Sequence, residues 1–228
     1  MKNIAIAIDG PVGAGKSTIA RTCAQRLGFI HVDTGAIYRA IGVKYGNPDT
    51  LDFTDFNGFV DCELQITFKD GAQQVFVNGV DYTDKIRTPE ASMLASAVSA
   101  KPEVREFLLE LQRDFARKQS VVMDGRDIGT VVLPDADIKI FLTADPVERA
   151  KRRYDELIAK AKEELRAAIL ESDVLADLIK RDHNDANRAH APLKQAEDAI
   201  VADTTGFELD EAIDYVMKLI RERLKDVR

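Results

Sequence analysis

Apolar positions along this chain fall into two rhythms that alternate from one end to the other. Ile4 to Ile8 is a run of adjacent, mostly β-branched apolar residues stopped by Asp9-Gly10, the pattern of a buried strand. From Lys16 the rhythm changes: Ile19, Ala20, Cys23, Ala24 and Leu27 recur at helical spacing, and Gly28 is placed to end the helix. Phe29 to Val32 reads as a second short strand, and a helix carrying Ile37, Tyr38 and Ile41 begins after Asp33-Thr34-Gly35.

Between Cys62 and Tyr82 the pattern becomes strictly two-residue. Leu64, Ile66 and Phe68 lead to Asp70-Gly71, and Val75 and Val77 lead to Asn78-Gly79, two hairpin-turn dipeptides that predict an inserted antiparallel sheet of about three strands. Helices follow over Thr88 to Ala100 and Glu103 to Lys118, the second opened by Pro102. Ser120 to Met123 and Ile138 to Leu142 read as further buried strands, and Asp145-Pro146-Val147-Glu148 resembles a capping box. The chain is then charged and helical to Asn187, with no glycine and no proline after Pro146; a strand at Ala199 to Val201 and a helix from Glu208 follow. Strands alternating with helices predict an α/β fold, a parallel sheet with helices on both faces.

Composition narrows the function classes. The 228 residues are 45% hydrophobic and 31% charged, with no apolar run near the roughly 20 residues of a membrane span and no signal-peptide core, so a cytoplasmic protein with no membrane role is expected. A net charge of −7 argues against nucleic acid as a partner. Cys23 and Cys62 sit in no metal or redox spacing and read as reduced, partly buried thiols. His31, His183 and His190 show no metal-ligand pattern and read as surface or packing residues.

The strongest chemical signal is Gly10-Pro11-Val12-Gly13-Ala14-Gly15-Lys16-Ser17-Thr18. It satisfies G-x-x-x-x-G-K-[ST] between a predicted strand and a predicted helix, the context that motif requires. Its glycines let backbone N–H groups turn inward at a helix N-terminus, which suits the phosphates of ATP. Lys16 is expected to bridge the β- and γ-phosphates and Ser17 to give its oxygen to Mg²⁺. No N-K-x-D base-reading motif accompanies it, and the D-x-x-G match at Asp203 to Gly206 falls after the last predicted strand, so a signalling switch is disfavoured.

A second anion site is indicated by arginines among carboxylates. Tyr38 and Arg39 lie one turn into a helix that starts beside Asp33 and Thr34, and Arg126 and Asp127 follow a buried strand and Asp124. Arg181, Asp185 and Arg188 stand at i, i+4 and i+7, a spacing that predicts one helical face. Ligands of open α/β sheets bind at such strand ends, so a phosphorylated acceptor is expected.

These segments together resemble the bacterial cytidylate kinases, a family of nucleoside monophosphate kinases. The residues that carry the likeness are GPVGAGKS, DTGAIYRA from Asp33, IRTPE from Ile86, DGRDIGTVVLPDA from Asp124 and NRAHAPL from Asn187, in the family's order over most of the chain. The resemblance implies a P-loop kinase core of residues 1–32, 95–145 and 190–228, a nucleoside-monophosphate lobe of 33–94 holding the β insert, and a helical lid of 146–189, acting as a monomer. It implies that Tyr38, Arg39, Arg126, Arg181 and Arg188 surround the acceptor phosphate and that Thr34 and Asp185 face the ribose. Ser96, Arg105 and Asp127 would read the base, and Arg149 and Arg153 would be lid arginines on the transferring group. The implied reaction takes the γ-phosphoryl group of ATP to CMP or dCMP with Mg²⁺. The alternatives are a kinase of another small phosphate acceptor, such as UMP or dephospho-coenzyme A, and a nucleotide-dependent switch. A carboxylate at Asp127 favours the cytosine amine over the uracil carbonyl, while Arg105 and Ser96 suit N3 and O2. One departure is that Glu148 to Lys180 is longer than the family's lid region and lacks its glycine.

Overall fold

The computed structural model describes residues 2–47, 50 and 61–227. Its central sheet is five-stranded and parallel, in the order β2-β6-β1-β7-β8, with β1 at Ala5–Asp9, β2 at Ile30–Asp33, β6 at Val121–Gly125, β7 at Ile138–Thr143 and β8 at Ile200–Asp203. Alternation on the strands sorts the core. Ile6, Ile8 and Val122 pack on one face with Ile19 and Cys23 of α1 (Lys16–Leu27) and with Val216, Met217 and Ile220 of α8 (Leu209–Val227). Ala7, Val121 and Met123 pack on the other face with Ile37 and Ile41 of α2 (Thr34–Tyr45), Val98 of α3 (Pro89–Ser99) and Leu108 of α4 (Pro102–Lys118). Burying each of these branched side chains contributes about 2 kcal/mol.

The inserted sheet is antiparallel, β3 (Leu64–Lys69), β4 (Ala72–Val77) and β5 (Val80–Asp81), and both predicted turns are present, with Asp70 and Asn78 at positive φ just before their glycines. Its Val75 and Val77 pack on Ala36 and Ala40 of α2. Residues 48, 49 and 51–60 of the expected 33–94 lobe lie outside the described residues.

Three local expectations are corrected. The helical stretch after Pro146 is three helices, α5 (Pro146–Lys160), α6 (Glu163–Arg166) and α7 (Glu171–Asn187). β8 runs two residues past Val201, so Asp203 is its end rather than a residue beyond it. The capping box is half formed: Asp145 accepts from Val147 N, but Glu148 accepts instead from Gly206 N, and Asp145 N donates to Thr205 Oγ1. The start of α5 is thereby stapled to the loop after β8. Arg152 reinforces this by donating to the carbonyls of Thr204 and Phe207.

Candidate active site

The carboxyl ends of β1, β2 and β6 deliver the motif residues to one edge of the sheet, where open α/β sheets bind ligands. After β1 the loop turns on Gly10, Gly13 and Gly15, all at positive φ. A Cβ on Gly10 would stand 2.0 Å from the Leu142 carbonyl oxygen, and one on Gly13 would stand 2.8 Å from the Arg149 carbonyl oxygen, so the loop is wedged between β7 and α5. Gly15 caps α1 without a side chain, leaving the helix start to the loop's own N–H groups.

Lys16 folds back over this loop and its Nζ donates to Pro11 O at 2.6 Å. Burial, aided by the charge of Arg126 and opposed by Asp124, Asp185 and Asp9, lowers its pKa to about 7. Ser17 donates through Oγ to Asp124 Oδ2 at 2.7 Å, and the other oxygen of that carboxylate, Oδ1, meets His31 Nε2 at 2.7 Å. Burial would raise the Asp124 pKa, but His31, Ser17 and Lys16 hold it below the ordinary carboxylate range. Burial would lower that of His31, and Asp124 raises it instead. His31 is thus neither a surface nor a mere packing residue: it is buried and paired with the residue behind the loop. His183 and His190 are exposed, as expected.

Asp9, also buried, accepts from Ile128 N at 2.8 Å and Gly129 N at 2.7 Å and so holds the start of a short π-helical turn, Ile128–Val132, directly after Arg126-Asp127. Burial raises its pKa to about 6. The glycine loop after β1 and the turn after β6 are therefore tied through one carboxylate.

The arginines expected at the acceptor are brought together, each with a carboxylate except one. Arg39 pairs with Asp33 at 2.9 Å, Arg126 with Asp185 at 2.8 Å, and both Arg105 and Arg188 with Asp127. Arg105 lies over the Tyr38 ring, and Thr34 Oγ1 donates to the Asp124 carbonyl. Burial raises the Asp127 pKa against the opposing pull of Arg105, Arg188 and Arg126. Arg181 differs: among the described residues it has no hydrogen bond or ion pair. Burial lowers its pKa, as do the charges of Arg153 and Arg126, against the opposing pull of Asp177 and Asp185. A guanidinium near two others and with no carboxylate in direct contact is a place for an anion.

Not every expected neighbour is found there. Arg188 is not on the face of α7, which ends at Asn187; Leu193 N takes the Asp185 carbonyl and the Asn187 side chain takes that of His183, so Arg188 is extended. It still reaches Asp127 from that position. Ser96 offers its side chain to none of the base-site residues, whereas Ser99, absent from the expected set, meets Arg188 through Oγ and Arg105 through its carbonyl. Arg153 pairs with Glu156 on α5. Arg149 is buried and committed to three partners, the carbonyls of Ala144 and Val12 and the carboxylate of Asp182, which in turn accepts from Val12 N. Together they clamp α5 and α7 onto the donor loop.

A glycine-rich phosphate-loop motif at the end of the central strand of a parallel sheet, with arginines and carboxylates gathered at the same end, defines a phosphoryl-transfer protein of the P-loop kinase class. A solved structure of an uncharacterized protein from Eubacterium ventriosum shares the fold, with a TM-score of 0.50 and 15% identity, covering 96% of this chain and 99% of that one. The family model for cytidylate kinase matches residues 6–222. The cytidylate kinase of Caldicellulosiruptor bescii is 48% identical, covering 99% of both chains, and that of Caldicellulosiruptor saccharolyticus is 49% identical, covering 96% of both. The chain belongs to the cytidylate kinase family. Kinases of this kind use a divalent metal with ATP. No helix among the described residues is long and apolar enough to cross a membrane.

Proposed function

We infer that the chain transfers the γ-phosphoryl group of ATP to CMP, giving CDP and ADP, and that dCMP serves as an acceptor as well. The observation that carries the acceptor half is Arg181, whose side chain has no ion-pair partner among the described residues and feels the charges of Arg153 and Arg126 against those of Asp177 and Asp185. An acceptor phosphate there would neutralise it, with Arg39 and Arg188 closing the ring and Tyr38 beside them. Thr34 and Asp185 are assigned to the ribose.

Asp127 is assigned to the cytosine amine. Two guanidiniums, Arg105 and Arg188, hold that carboxylate in place, and a fixed acceptor at this point repels the carbonyl that uracil would present. Arg105 and Ser96 are assigned to N3 and O2, with Ser99 as the residue that fixes Arg105.

At the donor end the loop from Gly10 to Thr18 would wrap the β-phosphate, and Lys16 would leave Pro11 for the γ-phosphate. Mg²⁺ fits here: Ser17 gives its hydroxyl hydrogen to Asp124, which leaves its oxygen lone pairs for a metal, and Mg²⁺ bound to a nucleotide needs only one or two protein oxygens. Ser17, with Asp124 behind it, would hold it. When bound, the metal neutralises charge on the β- and γ-phosphates. The acceptor oxygen is already anionic, so no general base is required, and catalysis is alignment plus charge stabilisation.

We assign residues 33–94 as the lobe and 146–189 as the lid that close over the substrates. Arg153 and Arg181 are the better candidates for the transferring group, because Arg149 is spent on the clamp at Val12 and Asp182. Free thiols at Cys23 and Cys62 suit a reducing cytoplasm. Steady-state rates with ATP and each of CMP, dCMP and UMP test the base assignment: efficiency is expected to fall sharply for UMP, and equal efficiency for CMP and UMP would overturn it.

A further inference from the structure

We infer that His31 is a positioning residue for the metal-binding hydroxyl, holding the Asp124 carboxylate so that Ser17 presents its oxygen to the nucleotide's metal. The inference rests on the assignment of Ser17 to Mg²⁺ and adds a residue to it.

The geometry is a relay of three side chains from three elements. His31 lies on β2, the edge strand, and Asp124 on β6 beside it. Both oxygens of the carboxylate are used, Oδ1 by His31 Nε2 and Oδ2 by the Ser17 hydroxyl, each at 2.7 Å. With both ends held, the carboxylate cannot rotate without losing one bond. Ser17 gives its hydrogen to Oδ2, which leaves its lone pairs for a ligand on the far side.

Filling space alone does not call for an imidazole here. A buried strand position next to a sheet core is filled as well by an aliphatic residue, and a buried charged pair is costly unless both partners are matched. Asp124 is 3% exposed, so without His31 its Oδ1 would be a buried acceptor with no partner. Asp124 would then be free to rotate and to loosen its hold on Ser17. Partners behind a metal ligand that fix its orientation typically change metal affinity by about 10- to 100-fold.

The test is the dissociation constant of ATP, measured by calorimetry with Mg²⁺ and again with EDTA, for the wild type, His31→Leu, His31→Gln, His31→Asn and Ser17→Ala. Mn²⁺ electron paramagnetic resonance of each nucleotide complex gives a direct metal signal. In His31→Leu the gain in ATP affinity from Mg²⁺ is expected to shrink about tenfold, with affinity in EDTA unchanged. His31→Gln, whose amide N–H reaches Oδ1, is expected to restore the gain, and His31→Asn, which is too short, is not. Should His31→Leu fail to fold, the contrast of Gln with Asn decides. A full Mg²⁺ gain in His31→Leu or His31→Asn, or an equal loss with and without metal, overturns the role of His31. A wild type indifferent to Mg²⁺, or Ser17→Ala with the full gain, overturns the metal assignment itself.

Discussion

The two halves of the proposed site are built in opposite ways. The donor half is a single stretch of nine residues at the end of the central strand β1, shaped by backbone and glycines and backed by polar groups that already satisfy one another: Lys16 on Pro11, Ser17 on Asp124, Asp9 on the turn after β6. The acceptor half is made of side chains from five separate segments, arginines neutralised by Asp33, Asp127 and Asp185 with Arg181 left over. The triphosphate is the same whichever base a nucleoside triphosphate carries, and a local, backbone-built cradle is enough to hold it. Choosing one acceptor requires charge at several fixed points, which only the assembled fold can supply.

Substitutions should separate the halves accordingly. Lys16→Ala is expected to lower kcat by about three orders of magnitude with the fold and CMP binding retained, because it removes charge stabilisation developed during transfer; rapid-quench or coupled assays read it, and near-normal turnover would break the donor assignment. Asp127→Asn should act the other way, reducing kcat/KM for CMP by about 100-fold, or about 2.7 kcal/mol, while the ATP dissociation constant stays as it was. A loss of ATP affinity of the same size would show that the halves are not separable. Arg181→Gln should raise KM for CMP about tenfold and lower kcat as well, placing it on the boundary between the two.

The smallest effect is a proton. With the Lys16 pKa lowered to about 7 by burial, the folded, nucleotide-free protein has lost at pH 8 a proton that the unfolded chain keeps. Stability from this group therefore rises with pH from about 7 towards 10.5. Phosphates beside Lys16 restore its charge, so ATP binding at pH 8 should take up close to one proton, read by calorimetry in buffers of different ionisation enthalpy. Lys16→Arg, always charged, should take up none, and uptake in that variant would rule out Lys16 as the group that gains the proton.

The same contrast between a local half and an assembled half decides how much of the site is legible in the sequence. The donor loop is contiguous, and strand rhythm places it correctly at the end of β1. The strand pattern stops short of the end of β8 because Ala202 and Asp203 are weak strand formers, although they pair with Leu142 and Thr143. Single residues of the acceptor site are ambiguous as ion pairs, and it is the family likeness that gathers them. His31, Ser99 and Asp182 carry no local signal at all. Their partners Asp124, Arg188 and Val12 lie 93, 89 and 170 residues away, and only the sheet order and the return of α7 bring them together. Periodicity puts Arg188 on a helix face that ends one residue before it, since spacing does not register the capping of the last turn by Asn187.

Phosphorus NMR of the protein with Mg²⁺, ATP and CMP measures directly whether the two nucleotides meet in one site and exchange one phosphoryl group. CDP and ADP should appear in equal amounts, with no inorganic phosphate and no ADP when CMP is left out. Release of inorganic phosphate at the same rate with or without CMP would contradict a shared site.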